Sequence, residues 1–202
     1  MTATPRLFSL TALLAVSAVS CGPRAPDYDY SKEPNPRKTE FVIGVTDELE
    51  ISVWKKPELS TSTTVRPDGT ITMPLIGDIA AVGKTPSQLK QEIQRRISEY
   101  IKLDDSTTIT VAVKAVNSYK FTVSGEVSQP GIHTSKSYVT VAEAIALAGG
   151  FTRFAKRDDI TLLRRNQAGV VRRIPIVYSL IDSGQYPEMN LVVMAGDSIY
   201  VP

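Results

Sequence analysis

Two helix starts of one design, 55 residues apart, most constrain what this chain can fold into. Thr85-Pro86-Ser87-Gln88 and Thr140-Val141-Ala142-Glu143 each set a threonine hydroxyl to accept from the backbone three residues on. The Gln or Glu there can reach back to the threonine N–H, and Pro86 suits a first helical position. After the first box, Leu89, Ile93, Ile97 and Ile101 recur every four residues while Lys90, Arg95 and Glu99 point elsewhere, so the spacing predicts a helix packed by one stripe. The second box predicts a helix from Val141 to Ala148 that stops at Gly149-Gly150, where glycine adopts the left-handed backbone cheaply. Segments alternating at period two flank both helices: Leu49, Ile51 and Val53 against Glu50 and Ser52; Ile109, Val111 and Val113; and Tyr119 to Val127. Strands around a helix, twice over, imply an α+β fold of two small modules.

The first module begins at Phe41-Val42-Ile43. From Thr63 to Met73 it reads as two short strands joined as a hairpin by Pro67-Asp68-Gly69, with Arg66 just before the turn, and Pro74 to Asp78, including Gly77, bends before Ile79 to Val82. The second passes Gly125 and turns at Gln129-Pro130-Gly131. It continues through strands Ile160 to Leu163 and Val170 to Ile176, then ends in Gly196-Asp197-Ser198-Ile199-Tyr200-Val201-Pro202. Strands enclosing one helix fit a β-grasp-like arrangement. The expected boundaries are 1–20, 21–39, 40–117 and 118–202.

A length of 202 residues accommodates two such modules, and 42% hydrophobic with 22% charged residues excludes disorder, collagen-like repeats and a polytopic membrane protein. A net charge of +2 is too balanced for a nucleic-acid binder that works by neutralising phosphates. One Cys and one His exclude an intrachain disulfide and an all-Cys/His zinc site.

That cysteine follows an uncharged run, Leu7 to Val19, too short to span a bilayer and suited to the apolar part of a secretory signal. Ala18-Val19-Ser20-Cys21 resembles the box of bacterial lipoprotein processing. The resemblance implies that the Cys21 sulfur accepts a diacylglyceryl group and that cleavage leaves Cys21 first, with Gly22 favouring outer-membrane sorting. An ordinary signal peptide with an unpaired cysteine is the other reading. Gly22 to Thr39, with four prolines among polar residues, reads as an extended tether reaching up to about 55 Å, with Tyr28 and Tyr30 resting on membrane or domain.

Nothing in the motifs assembles a catalytic or cofactor site. The acids Asp47, Glu48 and Glu50, the pair Asp104-Asp105 and the pair Asp158-Asp159 fix no two converging carboxylates, so glycoside cleavage is not expected. His133 has no nucleophile motif beside it. Gly149-Gly150 follows a helix rather than preceding one, unlike a phosphate loop. Trp54 closes an alternating strand, which favours core or subunit-interface packing over stacking on a sugar. Residues 40–118 hold 9 basic and 11 acidic side chains, whereas 119–202 hold 9 and 7. The basic excess gathers at Arg153, Lys156, Arg157, Arg164, Arg165, Arg172 and Arg173. This reads as a solvated face, or as a basic rim for an acidic polymer or partner through Arg164, Arg165, Arg172 and Arg173.

The strings Asp47 to Trp54, Val65 to Asp78 and Thr85 to Ile97, followed by Gly125-Glu126-Val127 with Pro130-Gly131, Thr140 to Phe151 and Gly196 to Pro202, resemble the bacterial outer-membrane polysaccharide export family. The resemblance spans Glu40 to Pro202 and implies an amino-terminal export domain followed by one SLBB (soluble-ligand-binding β-grasp) domain. It implies no enzyme and no cofactor. Asp47, Trp54, Arg66, Pro67, Asp68, Gly69, Gly77, Gly125, Gly131, Gly149, Gly150, Gly196 and Asp197 would supply fold and ring contacts. By resemblance the chain would form a ring, octameric in the best-known member, guiding capsule or exopolysaccharide from an inner-membrane co-polymerase towards the outer membrane. Larger members carry a carboxy-terminal helix that lines the outer-membrane hole. This sequence shows none, so a separate outer-membrane β-barrel is expected. A periplasmic glycan-binding or adaptor lipoprotein that forms no channel is the alternative.

Overall fold

The computed structural model describes residues 23–102, 107–166 and 168–202. The apolar leader, Cys21 and the Asp104-Asp105 pair lie outside the described residues. In the first module, β1 (Glu48–Val53) is central, antiparallel to β2 (Thr61–Thr64) on one side and to β5 (Ile109–Ala115) on the other. Its alternation puts Leu49, Ile51 and Val53 inward and Glu48, Glu50 and Ser52 outward. A separate hairpin pairs β3 (Thr70–Met73) with β4 (Gly77–Ala80). Helix α1 (Pro86–Ser98) starts at the capping box, with both reciprocal bonds of Thr85 and Gln88 formed, and buries Leu89, Ile93 and Ile97. These residues and the inward strand positions share one apolar core.

Pro67-Asp68-Gly69 makes a tight turn, in which Gly69 N–H donates to the Arg66 carbonyl and Arg66 N–H to that of Thr70. The expected hairpin across it does not form. Instead β2 pairs with β1 and β3 with β4, so the turn joins two separate sheets.

The second module is a five-stranded sheet in the order β7-β6-β10-β8-β9, formed by β6 (Lys120–Gly125), β7 (Gly131–Thr134), β8 (Ile160–Arg165), β9 (Val171–Ile176) and β10 (Ser198–Val201). β6 and β10 run parallel and the other pairs are antiparallel. Helix α2 (Val141–Leu147), again capped reciprocally through Thr140 and Glu143, buries Val141, Ala144 and Ile145 against one sheet face. A short helix, α3 (Tyr178–Asp182), follows β9. At Gly125 a Cβ would lie 1.9 Å from the Val201 carbonyl oxygen, so glycine is what lets β6 and β10 close together.

The extended tether expected over 21–39 does not hold for the residues described. Residues 23–38 form a strap along the second module: Tyr30 is buried in its core and donates its hydroxyl to the Pro175 carbonyl of β9. Ala25 and Tyr28 pack beside it. Asp29 and Asn35 cap short 3-10 turns at Tyr30–Lys32 and Pro36–Lys38, and Arg37 reaches Tyr138 and Glu143 at the start of α2. The prolines suppress regular structure without keeping the segment in solvent, because two tyrosines supply enough apolar surface to dock it. Among the described residues no helix is long and apolar enough to cross a membrane.

Candidate functional site

The positions singled out from sequence gather at two buried polar centres and several surface turns. The first centre is Asp47, fully buried between the modules. Its carboxylate accepts from Gly44 N–H, Asn117 N–H, Ser118 N–H and the Ser118 hydroxyl, each at 2.8 Å. Asn117 and Ser118 lie on the link between β5 and β6, so one side chain satisfies the donors of the hinge and of the loop entering β1. Gly44 fits only as glycine here, since a Cβ would sit 2.3 Å from that of Ser118. Phe41, Tyr138, Tyr119 and Phe121 extend the junction as successive ring contacts at 6.5, 5.1 and 5.8 Å between centroids. Beside them lies a groove of about 890 Å³, lined in part by Pro34, Phe41, Val42, Val82, Tyr119 and Tyr138.

The second centre corrects the reading of Arg164 as a rim cation. Its place on β8 follows Ile160 and Leu162 on the inward face, and it is 2% exposed. The guanidinium grips Asp197 with Nε and Nη2, the latter at 2.7 Å, reaches Glu33 of the strap at 3.1 Å and donates to the Val192 carbonyl. Opposite it in the ladder, Arg172 pairs with the same Glu33 at 3.0 Å. Two guanidinium groups and two carboxylates leave the cluster neutral, the condition under which buried charges persist. Burial opposes the Arg164 charge, yet the hydrogen bonds and field of Asp197 and Glu33 hold its pKa above the ordinary guanidinium value. Burial and a hydrogen bond to Glu33 push the neighbouring Tyr28 phenol up to about 12, and burial does the same for Tyr30. Asp197 also accepts from Met194 N–H, fixing the turn into β10 that Gly196 opens.

The remaining positions stay apart. Arg66, Asp68, Thr70, Thr72 and Asp78 form an exposed hydrogen-bonded patch on the β3–β4 hairpin, with Arg66 bridging Asp68 at 3.0 Å and Asp78 at 2.8 Å. Hydrogen bonds from Thr70, and from Thr72 and Arg66, hold the Asp68 and Asp78 carboxyls below their ordinary range. Pro67 and Gly69 shape the turn beneath, and Gly77 closes the hairpin. Gly149 and Gly150 stop α2 as expected, and Gly131 opens β7. Trp54 is 65% exposed, so it packs in no core of this chain. Arg165 and Arg173 are exposed, and Arg172 is shared between Glu33 and solvent. Of the four arginines, Arg165 and Arg173 keep the surface character read from sequence.

Of the two alternatives left open for Tyr28 and Tyr30, the domain holds, and Glu33 was the residue sequence reasoning missed. The available signal was Tyr28-x-Tyr30, two large aromatic side chains in a segment otherwise read as solvated. His133 stacks on Phe121 and contacts the Gln129 carbonyl, with no nucleophile beside it. Among the described residues, no three His, Cys, Asp or Glu side chains gather as a metal site.

The family described as polysaccharide biosynthesis/export protein matches residues 35–114, and the SLBB domain matches residues 120–175. Exopolysaccharide production protein ExoF of Rhizobium meliloti (strain 1021) is 31% identical over 156 residues, covering 72% of this chain and 34% of that protein. EPS I polysaccharide export outer membrane protein EpsA of Ralstonia nicotianae is 28% identical over 190 residues, covering 82% and 48%. Capsule polysaccharide export outer membrane protein CtrA of Neisseria meningitidis serogroup A is 25% identical over 197 residues, covering 84% and 48%. The chain thus spans between a third and a half of the length of these curated relatives. Two of these relatives are named as polysaccharide export outer membrane proteins and the third as an exopolysaccharide production protein. With an export domain joined through Asp47 to one SLBB domain, the chain belongs to the polysaccharide export family.

Proposed function

We propose that this protein is a lipid-anchored component of a capsule or exopolysaccharide export channel. Copies of it form a ring facing the periplasm and guide polymer from an inner-membrane co-polymerase towards a pore in the outer membrane. The match of both domains in order, from 35 to 175, carries this reading, and the names of the relatives supply the cargo. The four hydrogen bonds that tie Asp47 to the link and to the loop before β1 support it, since a ring of two-module copies closes at a defined size only if the angle between modules is held. The exposed Trp54 and the Arg66–Asp68–Asp78 patch are the positions assigned to ring contacts, and Cys21 is assigned to lipid attachment. Arg165 and Arg173 are the cations left for a polyanion or an acidic partner.

Deleting the gene and measuring surface polysaccharide tests the role, with complementation by the wild type and by Cys21→Ser. Loss of surface polymer, restored by the wild type and poorly by the Ser variant, is the expected result. Unchanged export in the deletion strain would refute the role. Native mass spectrometry of the full-length protein tests the ring, with a closed oligomer expected.

A further inference from the structure

The sheet topology of the second module separates its two poles. The starts of β6 and β10 and the end of β8 lie by the junction with the first module, where Asp47 and Asp197 sit. The ends of β6 and β10, the start of β8 and the end of β9 therefore lie at the opposite pole. Three further segments meet there. The loop 152–159 runs into β8, and its Lys156 N–H donates to the carbonyl of Pro202. α3 follows β9, with Tyr178 N–H bonded to the Arg157 carbonyl and Ser179 N–H to Asp158 at 2.9 Å. Pro23, Arg24 and Ala25 lie in a shallow groove against Ser179, Leu180, Ser183 and Tyr186. The strap thus runs from this pole, along β9, to the junction.

Two independent features give the pole a partner. First, Cys21 precedes Pro23 by two residues, which reach no more than about 7 Å. Second, loop 152–159 presents Phe154, 68% exposed, with the Arg153 guanidinium 4.6 Å from its ring centre, and after it the exposed Lys156 and Arg157, the latter 5.1 Å from the Phe151 ring centre. Tyr186 is exposed on the same pole. An apolar ring beside long cationic side chains suits the boundary between headgroups and acyl chains, where the ring enters and the cations stay with the phosphates. Asp158 and Asp159 keep the net charge of the loop small, so the cations serve as local headgroup contacts rather than as a field that draws the protein in.

We infer that this pole, with Phe154 at its tip, rests on the phospholipid leaflet that holds the acylated Cys21, which points the first module away from the membrane. The inference rests on the anchor assigned above. The test uses full-length protein in phosphatidylethanolamine/phosphatidylglycerol vesicles with brominated acyl chains. Phe154→Trp is made in a Trp54→Phe background, and the wild type, whose indole is on the first module, is the control. Emission of the introduced indole is expected to shift to the blue and fall roughly twofold relative to plain vesicles, as for a side chain at the acyl boundary, while Trp54 of the wild type keeps its intensity. An unquenched indole at 154, or equal quenching of Trp54, overturns the inference. Intact mass separates the two readings: an acylated chain with an unquenched indole sinks the orientation alone, and an unmodified chain with an unquenched indole sinks the anchor as well. Quenching at 154 but not at 54 supports the lipid-facing pole whatever the mass.

Discussion

The Asp47 carboxylate holds four donors that have no other partner in view, three of them on the link between modules. Asp47→Ala leaves those part-buried donors unmatched, so it should lower unfolding stability by about 1–3 kcal/mol, read from the midpoint of urea unfolding. Arg164→Ala strands Glu33 and Asp197 away from water and should cost about 3–5 kcal/mol. Arg173→Ala, on the exposed face of the neighbouring strand, should stay within about 0.5 kcal/mol. Equal effects of the two arginine variants would contradict the buried pairing. Sequence drew attention to Asp47, Asp197 and Arg164 but not to what they do. Apart from Gly44 and Met194, each three residues off, their partners lie 28 to 131 residues away, beyond any local spacing rule.

At the scale of elements, legibility follows how local the determinants are. The start and the stripe of α1 were readable because its cap, its first-turn proline and its buried residues are local, although the helix ends at Ser98, short of the Ile101 expected on the stripe. The Pro67-Asp68-Gly69 turn was readable as a turn, whereas the choice of partners for β2 and β3 was made by strands elsewhere. α3 is five residues long with no capping side chain, so it left no sequence signal. The strap was misread because proline content speaks of backbone freedom and is silent on where two tyrosines dock. Tyr30→Ala should remove enough core contact to cost about 3 kcal/mol and to release the strap, seen as faster tryptic cleavage at Lys32 and Arg37 with the rest intact. On α1, hydrogen bonds from Arg95 and Arg96 lower the Glu92 carboxyl from its ordinary 4.5 to about 2. A pKa depressed by folding gives stability that is complete above pH 4.5 and lost as pH falls towards 2. Glu92→Gln should therefore lower stability slightly at neutral pH, match the wild type near pH 2 and flatten acid unfolding in between, as followed by circular dichroism.

The whole molecule is two cores joined by a hydrogen-bonded link, and its two-module division was visible in the repeated capping boxes and alternating strands. The relative placement of the modules was not, because it depends on a buried carboxylate, a glycine without room for a methyl group and a line of aromatic rings. Gly44→Val should wedge the junction open while sparing each core, giving a larger radius in solution scattering and new protease cuts between 114 and 119 with little change in helix content. Wild-type dimensions in that variant would show that the junction has slack. The strap lies lengthwise on the second module rather than peeling from one end, so a pull at residue 23 resisted by the first module acts in shear. Tyr30, the Glu33 pairs and Arg37 would then share the force together instead of failing one by one.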